Sequence, residues 1–312
     1  MNFYICTTYK NNNNTLKKLI LLISLSTLVL PSFGQRWKAY RQEVIGSAGP
    51  SFLLGDVGGA GDKPTNTVRD INFKSTSFSG GGGYNYFIRQ NMSVVGQLSY
   101  NMLTAKDEFA GNEARKNRNF DIKTHLVEAA IQYRYYFVKD KFGHSFKLRG
   151  ASSMFFSQIS AYVAIGVAGI YFNPTGKYSD NKYYSLQPLG TEGQGLSGES
   201  EKYKTIGLAI PLSIGARYSL GKRWSIGAEL CVRKTFTDYI DDVSTVYYDN
   251  TAIETAYGEK ASFLADPNDG THPSWTVDGE KRGGEGLKDF YGTVLFSVNY
   301  KLIKGNSFKP RF

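Results

Sequence analysis

The chain has 312 residues, of which 41% are hydrophobic and 21% charged, and its formal net charge is +10. It is too apolar to remain disordered, and its 2 cysteines exclude a scaffold held together by disulfides. The 34 glycines, 22 tyrosines and 20 phenylalanines favour a protein built from many β-strands.

Residues 1–34 have the pattern of a secretory signal peptide. Lys17 and Lys18 precede an apolar run at 19–30, and small residues follow up to Gly34, after which we expect cleavage. The run has 12 residues and spans only about 18 Å as a helix, too short for the roughly 30 Å core of a bilayer. The predicted exported chain has a net charge of +7 and a single cysteine, Cys231.

Eight segments of the exported chain alternate apolar and polar residues with the period of two that is typical of β-strands. The clearest segment runs from Ile206 to Tyr218, with apolar residues at most even positions and small or polar residues at odd positions. Similar patterns cover 127–137, 226–233 and 290–300, and weaker ones cover 44–54, 77–88, 92–103 and 160–171. Most are close to the roughly 9–11 residues that a tilted strand needs to cross a membrane.

The connections between these segments alternate in length. The gaps at 55–76, 104–121, 172–205 and 235–288 are long, those at 89–91 and 219–224 are short, and 138–159 is intermediate. This predicts an all-β fold, an eight-stranded antiparallel up-and-down transmembrane β-barrel over 44–302 with long outer loops. A short segment at 35–43 and a basic tail at 303–312 are then periplasmic, and we expect the protein in the outer membrane of a Gram-negative bacterium.

A soluble eight-stranded barrel of the lipocalin type has the same strand order and is the structural alternative. Its interior would be apolar, whereas the less apolar face of these strands carries charged residues, namely Glu128, Arg134, Arg217, Glu229 and Arg233. Five charges inside a soluble core are costly, but they can pair in the polar lumen of a membrane barrel. We therefore expect outer-membrane lipid around the apolar face.

The expected topology separates charge across the membrane. The periplasmic side receives 13 basic residues against Glu43 and Asp140, a net charge of +11, whereas the outer loop at 235–289 has a net charge of −8. A basic rim of this kind attracts an acidic protein partner or anionic lipid head groups, and it is also typical of an edge that is merely solvated. The rim residues predicted to dock a partner are Arg89, Lys139, Lys141, Lys147, Arg149, Lys222 and Arg223.

No arrangement of residues indicates a catalytic site, a cofactor, a nucleic acid or a small-molecule substrate. His125, His144 and His272 are too dispersed for a metal site, and His125 has the parity of the lipid-facing residues. A barrel enzyme that modifies lipid A needs a base beside a serine at the outer rim, and the position of His125 weakens this alternative.

Four aspartates, Asp238, Asp241, Asp242 and Asp249, supply the oxygen ligands that calcium prefers. Their spacing does not match a known calcium loop. We expect a charged surface loop here rather than a metal site.

Two stretches in the predicted outer loops, 184–195 and 233–245, are specific enough to suggest a family. Together with 169–174 and 210–215 they resemble, in matching order, the PorG-like family of outer-membrane β-barrels. The loop positions that carry the resemblance are Gln187, Pro188, Gly190, Glu192, Gly193, Asp238, Tyr239, Asp241 and Asp242. The resemblance implies an eight-stranded barrel and a role in type IX protein secretion, in contact with a periplasmic ring of lipoprotein and partner subunits.

From this resemblance and the basic rim we expect a non-enzymatic outer-membrane anchor or docking component of a secretion machinery. The alternative is a stand-alone surface or membrane-stabilising barrel, which has no periplasmic partner. The sequence leaves open whether the two motif loops pack on each other as a lid or contact a partner.

Overall fold

The computed structural model describes residues 39–58, 73–139, 158–284 and 288–303, so the predicted signal peptide lies outside the described residues. Within these ranges there are nine strands, one of which is short. The long strands are β1 (Gln42–Leu54), β2 (Ser77–Arg89), β3 (Met92–Lys106), β4 (Asp121–Val138), β5 (Ile159–Lys177), β7 (Ile206–Ser219), β8 (Trp224–Thr235) and β9 (Phe290–Leu302), and the short strand is β6 (Tyr183–Ser185).

The eight long strands form one closed antiparallel barrel. Each pairs with the long strands that precede and follow it, and the barrel closes where β1 pairs with β9, from Gln42 opposite Leu302 to Leu54 opposite Phe290. The short strand β6 pairs with the loop-side end of β5. Closure leaves none of the eight strands with an open edge, which confirms the predicted up-and-down barrel.

At the end with the long loops, several strands extend further than their alternation predicts. The segment predicted at 160–171 becomes β5, which ends at Lys177. Pro174 lacks the amide proton of a regular ladder and so obscures this strand in the sequence. In the structure Pro174 lies opposite Thr124 on β4, and its carbonyl oxygen accepts a hydrogen bond of 3.0 Å from the Leu186 amide.

The outward face of the barrel is apolar. Val167, Leu208 and Phe296 expose 65%, 64% and 63% of their surface. Exposed aromatic residues follow at the end with the short turns, namely Tyr84, Tyr86, Tyr133, Tyr135 and Phe137. A bilayer covers such a band with hydrocarbon and places the aromatic rings at its interface. The fold is therefore that of an outer-membrane β-barrel.

The inward face carries the five predicted lumen charges, and all of them are buried. At the level nearest the long loops, Arg233 Nε lies 2.9 Å from Glu128 Oε2. The Tyr291 hydroxyl donates a hydrogen bond of 2.6 Å to the same carboxylate, and Arg233 donates another of 2.5 Å to Thr293. A guanidinium and a phenol therefore satisfy this glutamate together.

Two further pairs lie deeper in the barrel. Arg134 donates a hydrogen bond of 2.8 Å to Glu229. Arg217 pairs with Glu43, which is completely buried. The expected position of Glu43 on the periplasmic rim was wrong. Strand β1 begins at Gln42 rather than at 44, so Glu43 is part of the strand, and its side chain points inward to Arg217.

Side chains fill the interior between these pairs. The space beside Arg134 and Glu229 has a volume of about 10 Å³, which is room for about one water molecule. An eight-stranded barrel is just wide enough for its own side chains, so the described part of the lumen has no room for a solute channel.

Arg233 and its neighbour Lys234 provide a matched test of the buried pairs. Arg233→Met leaves Glu128 buried without its cation, so we expect a loss of about 3–5 kcal/mol in the free energy of unfolding. Lys234 is exposed on the opposite face of the same strand, and Lys234→Met should change the free energy by no more than about 0.5 kcal/mol. Urea unfolding in lipid vesicles measures both variants, and equal losses would contradict the role of the pair.

Candidate functional site

The loops at one end of the barrel fold into a compact structure, which we call the outer cap. It comprises residues 55–58, 107–120, 178–205 and 236–284 and contains three helices, α1 (Glu113–Arg118), α2 (Asn250–Tyr257) and α3 (Glu259–Ala265). Leu186, Ile240 and Val243 belong to the same buried cluster as the barrel residue Leu126, so the cap packs on the barrel wall.

None of the helices among the described residues is long and apolar enough to cross a membrane.

Short polar residues begin and end the cap helices. The Asn112 side chain accepts a hydrogen bond of 2.7 Å from the Ala114 amide at the start of α1, and Asn119 adopts a left-handed conformation at its end. The Asp249 side chain caps α2 in the same way, accepting a hydrogen bond of 2.9 Å from the Thr251 amide. These caps fix short helices that would not form in isolation.

A buried ion pair joins the second outer loop to its neighbours. Arg118 donates two hydrogen bonds to Asp107, one of 2.7 Å from Nε and one of 3.0 Å from a terminal nitrogen. The same guanidinium donates to the carbonyl oxygens of Asp56 (2.9 Å) and Arg282 (2.6 Å). One arginine therefore connects three outer loops.

The two motif stretches meet at a second buried arginine. Arg282 donates a hydrogen bond of 2.9 Å to Glu192 from the first stretch, and its other terminal nitrogen lies 3.6 Å from the Asp242 carboxylate of the second. All three side chains are buried. Glu192 also accepts hydrogen bonds from the amides of Ser244 (2.8 Å) and Thr245 (3.2 Å).

Aromatic contacts complete this junction. The Tyr203 hydroxyl donates to Asp242, and its ring stacks on Tyr239 with centroids 4.4 Å apart. Gly193 has a φ of +79°, and a side chain there would collide with the Tyr248 ring. The structure shows the two motif loops packed on each other, one of the two arrangements that the sequence left open, and we call this junction the lid.

The remaining residues of the first motif stretch bind the segment that follows it. Gln187 donates a hydrogen bond of 3.1 Å to the Tyr203 carbonyl, and the Pro188 carbonyl accepts one of 2.5 Å from Lys202. Gly190 ends the 3₁₀ turn Gln187–Leu189 with a φ of +56°.

Carboxylic acids gather where the cap meets the barrel. Asp241 accepts hydrogen bonds from the amides of Asp56 (2.9 Å) and Val57 (3.2 Å), and Asp289 accepts one of 2.8 Å from Ile240. Gly55 leaves room for both acids, since a Cβ atom there would lie only 2.6 Å from Asp241 and 2.9 Å from Asp289.

Burial raises the pKa of these acids. Desolvation, together with the charge of Asp56, raises the pKa of Asp241 to about 8. Desolvation, assisted by Asp241, also raises the pKa of Asp289 well above its ordinary value. In Asp242 desolvation raises the pKa to about 6, while Arg282 opposes the rise.

The expectation that these aspartates form a charged surface loop was wrong, because three of them are buried. Asp238, Asp241 and Asp242 are 4%, 0% and 0% exposed. The Ser244 hydroxyl replaces water at Asp238, backbone amides do so at Asp241, and Arg282 with two hydroxyls does so at Asp242. Asp249 lies apart from them as the cap of α2. The described residues contain no group of three or more acidic, histidine or cysteine side chains placed to hold a metal ion.

The end of the barrel opposite the cap carries part of the predicted rim. Arg89 and Lys139 are exposed at the ends of β2 and β4, and Lys222 and Arg223 are exposed in the turn between β7 and β8. Lys141, Lys147 and Arg149 lie outside the described residues.

The described histidines are far from one another in the fold. His125 faces outward on β4, with Nδ1 2.5 Å from the Tyr100 hydroxyl, and His272 stacks on Trp275 in the cap. A phenol rather than a serine therefore accompanies His125. His144 lies outside the described residues.

Sequence reasoning missed both arginines that organise the cap, Arg118 and Arg282. A signal was present, since Arg282 is the only arginine in the acidic loop at 235–289. Arginine is the basic residue best suited to buried, multiply bonded positions, whereas lysine prefers to remain hydrated.

No family model and no curated protein matches this chain. Among solved structures it is similar to Neisserial surface protein A, with 9% identity, 83% of this chain and 96% of that chain covered, and a TM-score of 0.35. Ail, the attachment invasion locus protein of Yersinia pestis, has 10% identity, coverage of 83% and 97%, and a TM-score of 0.34. For OprG from Pseudomonas aeruginosa these values are 9%, 84% and 95%, and 0.34. Likenesses at this level carry no inference about function, and the resemblance to the PorG-like family stays a prediction.

Arg282 and its neighbour Lys281 test the lid. Arg282→Met leaves Glu192 and Asp242 buried without a cation, so we expect the local stability of the cap to fall by about 3–5 kcal/mol while the barrel persists. Proteolytic cleavage within 236–284 should then become at least about tenfold faster in lipid vesicles. Lys281→Met, at an exposed position, should leave the rate unchanged. Unchanged cleavage of Arg282→Met would contradict the lid.

The raised pKa values predict a cap that weakens as the pH rises. An acid that holds its proton more tightly when folded stabilises the fold below its unfolded pKa and loses that contribution as the pH rises through the folded pKa. With the pKa of Asp241 at about 8, the cap should lose stability between about pH 4 and about pH 8. Asp241→Asn mimics the protonated form and should flatten this dependence. Urea unfolding of the cap, followed by Trp275 fluorescence, measures this pH dependence. Identical pH profiles for the unmodified protein and Asp241→Asn would refute the prediction.

Proposed function

We propose that this protein is a non-enzymatic outer-membrane barrel that anchors a periplasmic protein assembly, with its short turns, the start of β1 and the end of β9 on the periplasmic side. The filled interior carries the proposal. Three buried arginine–glutamate pairs cross the described lumen, and the lid lies above them. A barrel without room for a solute acts through its surfaces.

The basic rim supports the periplasmic end as the docking surface. Arg89 and Lys139 are exposed at the ends of β2 and β4, and these two strands both pair with β3. Exposed cations at one edge steer an acidic partner toward the membrane and fix its orientation more than they raise its affinity. By the resemblance to the PorG-like family, this partner is the periplasmic ring of a type IX secretion machinery.

One observation favours a second candidate, a stand-alone surface protein. The cap exposes the apolar residues Trp275 and Val277, with 41% and 50% of their surface accessible. Exposed apolar side chains on an ordered cap can contact another surface outside the cell. A protein of this kind has no periplasmic partner, which distinguishes it from the anchor.

Charge reversal at the rim tests the anchor. Reversing Arg89 and Lys139 to Glu should lower the recovery of periplasmic proteins with the purified barrel by roughly tenfold, because like charges then repel an acidic partner. Reversing Lys116 and Lys204, two exposed lysines on the cap side, is the matched control and should not lower the recovery.

Both double variants should fold, since the four side chains are exposed. A heat-dependent shift in gel mobility checks the folding of each variant. Undiminished recovery of periplasmic proteins with the rim variant would overturn the anchor, and the absence of such proteins from the unmodified barrel would favour the surface protein.

A further inference from the structure

The outward face of β7, β8 and β9 has a groove near the short turns. It has a volume of about 700 Å³, within the roughly 300–1,000 Å³ of typical ligand pockets. Its apolar lining residues include Ala216, Ala228, Phe296, Ile226 and Leu220. Large side chains at every outward position would leave no such depression. The groove therefore forms where the strand register places small residues side by side.

Two alanines form the floor. Ala216 on β7 lies opposite Ala228 on β8, and both line the groove. The large ring of Phe296 on β9, which lies opposite Ala228, bounds the floor on one side. Two methyl groups in adjacent strands therefore leave a trough.

Large side chains border the trough on both sides. The row nearer the turns contains Ile159, Tyr218, Ile226 and Val298, and the row nearer the lid contains Val163, Ile214, Leu230 and Val294. The trough is thus one side-chain row wide. A helix about 10 Å across is too wide for it, whereas a single alkyl chain fits.

Two cations lie on the side of the groove that faces the turns. Leu220, which lines the groove, begins the turn that contains Lys222 and Arg223. The Arg223 guanidinium donates a hydrogen bond of 3.0 Å to the Tyr300 hydroxyl, and the Tyr300 ring packs against Trp224 with centroids 4.7 Å apart. The groove floor lies four or five residues from this turn, roughly 13–17 Å along the strand.

We propose that this groove binds one acyl chain of an anionic phospholipid, whose phosphate contacts Lys222 and Arg223. In a bilayer, hydrocarbon already surrounds the barrel, so the trough contributes shape and close packing rather than a hydrophobic driving force. The two cations then select lipids with a net negative charge. With the turns periplasmic, as in the proposed function, the lipid belongs to the inner leaflet.

Trp224, on the side of the groove that faces the turns, serves as the probe. The chain has 3 tryptophans, so Trp37→Phe and Trp275→Phe leave Trp224 as the only one. Quenching of Trp224 by brominated phosphatidylglycerol and by brominated phosphatidylcholine, in vesicles of the purified protein, gives their relative binding. We expect a preference of roughly fivefold for phosphatidylglycerol, falling at high salt.

Two variants separate the groove from the cations. Ala216→Leu with Ala228→Leu fills the trough and should reduce the preference to about onefold, as should Lys222→Gln with Arg223→Gln. Ala129→Leu makes the same kind of change once, at an exposed position on β4, and should preserve it. Equal binding of both lipids to the parent, or a preference that survives filling of the trough, would overturn the inference. Because no other protein is present, these results are independent of the proposed anchor.

Discussion

A charged side chain inside a narrow barrel has too little water to remain solvated, so it requires an opposite charge at the same level. Three glutamates meet three arginines in this lumen, Glu128 with Arg233, Glu229 with Arg134 and Glu43 with Arg217. The pairs tie strands on different sides of the barrel and fill its interior. The same constraint therefore stabilises the barrel and closes it to solutes.

The outer cap applies the same rule to loops. Arg118 and Arg282 lie where three loops converge, and each satisfies carboxylates and carbonyl oxygens that come from distant parts of the chain. The acids that lack a guanidinium at hydrogen-bonding distance, Asp241 and Asp289, instead accept hydrogen bonds from backbone amides, and burial raises their pKa. This is the reason for the predicted pH sensitivity of the junction between cap and barrel.

Alternation alone predicted all eight long strands and the five lumen charges, because membrane and lumen impose opposite chemistry on successive residues. It missed Glu43, which lies only one residue before the predicted start of its strand. The cap was beyond its reach, since Glu192 and Arg282 are 90 residues apart and no period connects them. Acidic residues in a loop are expected to be solvated, and the sequence does not reveal the buried arginine that pairs with them here. The rim follows from topology, but three of its residues lie outside the described ranges.

In the proposed function, the filled lumen and the lid leave the two surfaces of the barrel as its means of action, and the basic rim is the periplasmic one. Photo-crosslinking in intact cells, with a photoreactive residue at Lys139 and a second at the cap residue Lys116, tests this most directly. We expect adducts to periplasmic proteins from Lys139 and none from Lys116. Adducts from Lys139 only to lipid or to the barrel itself would contradict an anchoring role and would place the function of the protein at the cap.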